Sequence, residues 1–313
     1  MKGIILKDQG GAENLSVEEL DLPRPRPTEV LVKVQAISIN PVDIKTRKGG
    51  ALYASIKETP PVILGWDISG IVSEVGENVK DFKPGDAVFG MINFPGHGKA
   101  YAEYVTAPAE HLALKPENIS HPEAAASTLA ALTAWQVLVH EAKIRKGQHL
   151  LMHAAAGGVG HFAVQIAKHF GATVTGTASS ANKNFLIELG VDHFIDYTSQ
   201  NFEEELKHID IVFDPIGGET TAKSLNVLKQ GGTLVSIVGG VKDNLSSIIE
   251  EKKINAKNYL VHSSGEDMKE LASLLQQGIL QPHISQQFPF QEMAKAHQQI
   301  ETGKTRGKVI VNV

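Results

Sequence analysis

Hydrophobic spacing changes character along the chain. Over the first 120 residues the apolar positions come as short runs dense in Ile, Leu and Val, at 2–7, 29–38 and 70–75. Proline and glycine separate them: Pro23-Arg24-Pro25-Arg26-Pro27, Gly49-Gly50, Pro60-Pro61 and Pro84-Gly85-Asp86. Val30, Val32 and Val34 alternate with Leu31, Lys33 and Gln35, the period of a half-exposed strand. This part predicts a compact, partly open β-barrel. His121-Pro122-Glu123 then opens a helix, with Pro122 suited to its first turn. The uncharged run 124–140 carries Ser127, Thr128, Thr133 and Gln136 and is short for a membrane span, so it reads as a buried helix.

The clearest pattern lies at 149–178. An apolar strand, Leu150-Leu151-Met152, leads into Ala155-Ala156-Gly157-Gly158-Val159-Gly160. Val159, Phe162, Ala163, Ile166, Ala167 and Phe170 then recur at helical spacing, Gly171 stands where a helix C-cap prefers glycine, and Thr173-Val174-Thr175 begins a second strand. Strand, glycine turn, helix and strand in this order form a parallel βαβ unit. Gly157 is expected to turn the backbone into the helix, and Gly158 and Gly160 to admit a pyrophosphate and the neighbouring strand. The free N–H groups of the helix start then face phosphate. Ala155 stands where the usual pattern has its first glycine. The competing reading is a strand–helix turn whose glycines serve packing alone.

Alternation continues with a helix at 182–189, strands at 193–197, 210–213 and 233–238, a sixth strand at 259–262 and a helix at 267–277. A tail strand at 306–311 is expected to return to the first domain, since a Rossmann sheet is complete at six strands. The predicted fold is α/β: a β-rich domain over 1–121, a Rossmann-type doubly wound parallel sheet over 122–263, and a return to the first domain over 264–313.

An NAD site usually places Asp or Glu at the end of the second strand, on the ribose hydroxyls. Here no acid occurs between Val174 and Ile187, and Ser179, Ser180 and Lys183 stand there instead. Two hydroxyls and a cation suit a 2′-phosphate, which predicts NADPH over NADH; otherwise Lys183 is an ordinary solvated helix lysine. The net charge of −5, with no Lys/Arg cluster, argues against a nucleic-acid or anionic-membrane partner. The start, MKGIILKDQGG, is too short and polar for a secretory signal. The absence of cysteine removes disulfides, thiol nucleophiles and thiolate metal sites, and fits a reducing compartment; a cytoplasmic location is expected. The thirteen histidines form neither HExxH nor His-x-His, and no metal site is predicted.

Several spaced motifs carry a family likeness: Asn40-Pro41-Val42-Asp43, the run from Leu64 to Gly70, Lys83-Pro84-Gly85-Asp86, Leu132-Thr133-Ala134-Trp135, the glycine turn, and Thr305-Arg306-Gly307-Lys308. In these the chain resembles zinc-free members of the medium-chain dehydrogenase/reductase superfamily, of the quinone oxidoreductase type. The resemblance implies a GroES-like catalytic domain with an inserted Rossmann domain, a homodimer, and NADPH-dependent reduction of a small-molecule quinone or α,β-unsaturated carbonyl. Zinc-dependent relatives have Gly-His-Glu where this chain has Gly65-Trp66-Asp67, and they use cysteines that this chain lacks. Zinc alkoxide chemistry is therefore not expected. Two other readings stay open: a reductase of acyl thioester enones, and a non-catalytic NADPH-binding protein.

The same resemblance places Asn40, Asp43 and Tyr53 at the catalytic site, Asn40 or Tyr53 as donor to a carbonyl oxygen. Asn40 and Asp43 also read as turn and capping residues, and Tyr53 as a half-buried surface aromatic. Trp66 reads as core before it reads as a pocket wall. Thr133 resembles the threonine near the nicotinamide ribose or phosphate. Gly157, Gly158 and Val159 are expected at the pyrophosphate, and Ser179, Lys183 and Tyr197 match positions around the 2′-phosphate. Ile237, Val238 and Gly239 follow the fifth strand, at the carboxyl edge where ligands bind, and should line the nicotinamide side. Arg306 and Lys308 read as solvated tail charges.

Overall fold

The computed structural model describes residues 1–313. The chain divides into two compact units, residues 1–132 with 261–313, and residues 133–260.

The first unit holds strands β1 (Lys2–Leu6), β2 (Leu15–Glu19), β3 (Glu29–Ile39), β4 (Asp67–Val75), β5 (Ala87–Met91), β6 (Tyr104–Pro108) and β7 (Ala113–Leu114). The C-terminal β14 (Ile284–Pro289) and β15 (Lys308–Asn312) join them. Its seven-stranded sheet runs β14-β15-β3-β4-β5-β7, with β6 also on β3; β1 and β2 pair separately. The tail strand β15 pairs antiparallel with β3, Val309 opposite Ile39. Helices α1 (Pro41–Arg47), α2 (Tyr53–Ile56) and α3 (His121–Ala126) follow strands of this unit, and α10 (Gly265–Gln276) and α11 (Met293–Glu301) come from the C-terminal return. Strand β3 is less exposed than its alternation predicts: Leu31 is buried along with Val30, Val32 and Val34, because β3 is central and paired along its length. The small side chains of Ala125 and Ala126 let α3 pack closely on Ala36 and Ile310.

The second unit is a parallel sheet of β8 (His149–Met152), β9 (Thr173–Ala178), β10 (His193–Asp196), β11 (Ile209–Asp214), β12 (Leu228–Ser236) and β13 (Asn255–Asn258). Their order, β10-β9-β8-β11-β12-β13, is the 3-2-1-4-5-6 order of a doubly wound dinucleotide fold. Between them run α5 (Gly158–His169), α6 (Lys183–Glu188), α7 (Phe202–Glu205), α8 (Glu219–Val227) and α9 (Ser246–Glu251). Strands β8 and β11 are buried apolar runs, as strands covered on both faces must be.

Three expectations need correction. The run 124–140 is not one helix. Ser127 Oγ and Thr128 Oγ1 donate to the carbonyls of Glu123 and Ala125 at 2.9 and 2.8 Å, and the chain breaks there. A new helix, α4 (Leu129–Trp135), follows, then one π turn at Gln136–Glu141. The unit boundary therefore falls inside α4 rather than at His121, since α3 packs on the first sheet. The sixth strand is Asn255–Asn258, not 259–262: polar residues suit this edge strand, and Tyr259 N makes a last bond to Ser236 O before the chain departs.

Candidate active site

In the second unit the glycine turn leaves β8 and enters α5, whose N-cap is Gly157. Gly157 has an ordinary φ of −77°, so the turn's strain lies elsewhere, at Ala154 with φ +48°. A Cβ on Gly160 would stand 2.4 Å from the Ala154 carbonyl oxygen and 2.7 Å from Ala155 Cα, so Gly160 serves close packing of helix on turn. A Cβ on Gly157 would meet only the Ala154 oxygen, at 3.2 Å. That contact is tight against backbone, so the turn itself favours glycine at 157, and the position is half-exposed. The first N–H groups of α5 have no intrahelical carbonyl, the arrangement that suits an anion at a helix start.

Strand β9 ends at Ala178, where an NAD site would carry its acid. Beside that end stand half-buried Ser179, exposed Lys183 and Tyr197, which is 64% exposed; Tyr197 N bonds Ala178 O, tying the two strand ends together. Lys183 makes no ion pair and lies 6.0 Å from the Phe194 ring centroid. The nearest strand-end acid, Asp196, is engaged by the N–H and hydroxyl of Thr198 at 3.0 and 2.7 Å, and these bonds hold it below the usual carboxylate range. At the other side Ile237 is half-buried and Val238 and Gly239 are exposed, just past β12. Exposed Ile216 follows β11. Apolar side chains at a carboxyl sheet edge fit a flat ring. Thr133, on α4, is buried.

In the first unit Asn40 and Asp43 are buried, together with Asp67 and Lys308. Pro41 starts α1, Asn40 caps it, and the Asp43 carboxylate returns to the Asn40 N–H at 2.6 Å. The Asn40 amide donates to Asp67 Oδ2 at 2.8 Å and to Ser38 O at 3.4 Å, and its oxygen accepts from the Lys308 ammonium. Lys308 Nζ also lies 4.0 Å from Asp67 Oδ2. Asp67 Oδ1 accepts from Leu129 N at 3.0 Å. Burial raises both Asp43 and Asp67, Asp43 to about 8, and lowers Lys308. The expectation that Asn40 donates to an acceptor oxygen does not fit this arrangement, because its amide is buried and fully engaged. Tyr53, at the start of α2, is half-buried against the core and its hydroxyl makes no hydrogen bond within the chain. It is the open donor of the three.

Family models match the chain over 26–117, as an alcohol dehydrogenase GroES-like domain, and over 189–311, as a zinc-binding dehydrogenase. The 2-methylene-furan-3-one reductase of Solanum lycopersicum is 35% identical over 100% of this chain and 79% of its own length. The chloroplastic NADPH-dependent alkenal/one oxidoreductase of Arabidopsis thaliana is 35% identical over 99% of this chain and 79% of its own. The quinone oxidoreductase structure from Coxiella burnetii superposes with a TM-score of 0.94 at 36% identity, covering 100% and 99% of the two chains. The chain belongs to the medium-chain dehydrogenase/reductase superfamily, of the quinone oxidoreductase type. Within this superfamily the departure at Gly65-Trp66-Asp67 now has a physical description. Trp66 is fully buried, donates its indole N–H to Gly96 O at 2.7 Å and meets Phe94 edge-on at 5.4 Å. It is core, and no nitrogen lone pair is available there to a metal.

The structure also brings in residues that the motifs did not single out. Lys308 is 3% exposed, against the reading of a solvated tail charge. The signal lay in its alternation: Lys308 and Ile310 share a face of β15, and Ile310 is core. Arg47, Tyr101 and His297 are fully buried and bonded in a row, and had no local signature.

Proposed function

We propose that this protein reduces a quinone or an α,β-unsaturated carbonyl with NADPH, and does so without zinc. Membership of the superfamily makes it a nicotinamide-dependent oxidoreductase, and the finer reading rests on its own residues. The observation that carries it is the end of β9, where Ala178 replaces the ribose-binding acid and Ser179 and unpaired Lys183 offer a hydroxyl and a cation. Gly157, Gly158 and Val159 bind the pyrophosphate through main-chain N–H groups. Tyr197 flanks the 2′-phosphate, and Thr133, Ile237, Val238 and Gly239 hold the nicotinamide end. When bound, NADPH supplies a hydride to a conjugated acceptor. Tyr53 donates its free hydroxyl hydrogen bond to the acceptor oxygen as that oxygen gains negative charge. Solvent supplies the proton that completes reduction. Trp66 in place of a histidine ligand, and the lack of any grouping of three His, Asp or Glu side chains able to hold a metal, support the zinc-free reading.

The test is NADPH oxidation against ortho-quinones, para-quinones and short enals, with metal analysis of the active preparation. Turnover with one of these acceptors and no stoichiometric zinc is expected. Nucleotide binding without turnover on any acceptor would refute the enzymatic reading. Tyr53→Phe is expected to lower kcat by roughly a hundredfold to a thousandfold, the scale of losing one hydrogen-bond donor to a developing oxyanion.

A further inference from the structure

We infer that His297 is a positioning residue for the segment that carries Tyr53, acting as the Nε2–H tautomer that Arg47 imposes. The inference rests on the proposed role of Tyr53. A guanidinium only donates hydrogen bonds. Arg47 Nη1 lies 3.3 Å from His297 Nδ1, so Nδ1 must present its lone pair. Burial and the adjacent Arg47 charge lower His297 to about 3, leaving the ring neutral, with its single proton on Nε2. Nε2 lies 2.9 Å from the Tyr101 hydroxyl oxygen and donates to it. The Tyr101 proton is then free to turn toward the Asp43 carboxyl, whose charged form the Tyr101 hydroxyl favours and whose Oδ1 has no partner at hydrogen-bond distance. Ionised or neutral, that carboxyl offers an acceptor oxygen. One buried cation thus sets the hydrogen-bond roles of His297 and Tyr101.

Arg47 also ends α1, and the corner leading to Tyr53 is built from that end. Arg47 Nε donates to Gly10 O at 3.0 Å, Gly10 N donates to Arg47 O at 2.9 Å, and Nη2 pairs with Glu301 at 2.8 Å. Gly49 N and Gly50 N bond the carbonyls of Thr46 and Lys45, and Leu52 N bonds Thr46 Oγ1. Tyr53 N then bonds Gly50 O at 2.9 Å. Short-range bonds thus tie the end of α1 to Tyr53, and the guanidinium, bonded to Gly10 O, His297 and Glu301, fixes that end. Packing alone does not call for this arrangement: a buried ionic group can often be replaced by apolar side chains without loss of stability. Its directional bonds define a position.

The experiment has two parts on the full-length protein. Imidazole 15N shifts between pH 6 and 8 should show His297 neutral and protonated at Nε2; an Nδ1–H tautomer or an imidazolium would overturn the inference. Fluorotyrosine placed at position 53 then reports position by its 19F shift, independently of turnover. His297→Phe keeps a ring and its edge contact with Tyr101 but removes both hydrogen bonds. It should shift or broaden the 19F resonance, and lower kcat about tenfold at unchanged KM for NADPH. His297→Gln offers an acceptor and a donor again and should recover part of both. An unmoved resonance in folded His297→Phe would overturn the inference, as would an unchanged kcat where wild type turns over. A wild type inactive on every acceptor counts against the proposed function instead, while the tautomer and the 19F shift still decide the position of Tyr53.

Discussion

The two units present chemistry in opposite ways. In residues 133–260 the candidate nucleotide site is main chain and short range: a turn, the first N–H groups of α5, and the ends of adjacent parallel strands. In the first unit it is side chain and long range. Lys308 reaches Asn40 and Asp67, and Arg47 reaches His297, across most of the chain's length. The first kind of site tolerates change wherever the backbone keeps its path. The second depends on each partner, because a buried charge that loses its counterpart is costly.

This contrast breaks most sharply at Lys308. Lys308→Ala leaves Asp67 and the Asn40 amide buried without their cation, and should cost about 3–5 kcal/mol in urea unfolding. Lys308→Met combined with Asp67→Asn should recover most of that; a loss no smaller than in the single variant would mean that the ion pair itself stabilises the fold. Next comes Gly160→Ala, whose methyl group meets backbone at 2.4–2.7 Å. Overpacking should cost roughly 1–3 kcal/mol and weaken NADPH binding, read by the thermal midpoint and by titration of the nucleotide. Lys183→Ala should leave stability unchanged and reduce the preference for NADPH over NADH about tenfold or more, the value of a hydrogen bond to a charged group. Equal losses for both nucleotides would remove Lys183 from the 2′-phosphate site.

The smallest effect is a slope. Burial raises Asp43 to about 8, so from the ordinary carboxylate range up to that value the folded chain holds a proton that the unfolded chain lacks. Stability from this group is present at low pH and falls as pH rises toward 8. His297, lowered to about 3, acts with the opposite sign, but only below its ordinary value near 6.5. Between pH 6.5 and 8 the Asp43 contribution is therefore visible, and Asp43→Asn should flatten the fall in thermal midpoint there. Identical slopes in the two proteins would mean that Asp43 is ionised in the fold.

Legibility followed the same division. The βαβ unit could be read because each residue needed for it lies within one contiguous stretch, and the period of its apolar positions names its elements. The break at Ser127–Thr128 escaped, because hydroxyls that bond back to helix carbonyls look in a sequence like helix residues. Strand β13 escaped because an edge strand need not be apolar. Asn40 and Asp43 were legible as a cap and as a motif, but their local pattern did not show that Lys308 and Asp67 already engage the Asn40 amide. Tyr53, at the start of a short helix, keeps its hydroxyl free where the Asn40 amide is engaged.

By itself the sequence determined the class of fold, the glycine turn with its helix, the missing acid after the second strand and the absence of thiolate ligands. These are statements about residue type and spacing, and spacing is preserved along the chain. Only the tertiary structure decided which polar groups are already engaged, that Lys308 and Arg47 are buried cations, and that His297 stands between Arg47 and Tyr101. Those facts arise where distant residues meet in a region from which water is excluded, and there a group's ionisation and free bonds depend on its partners.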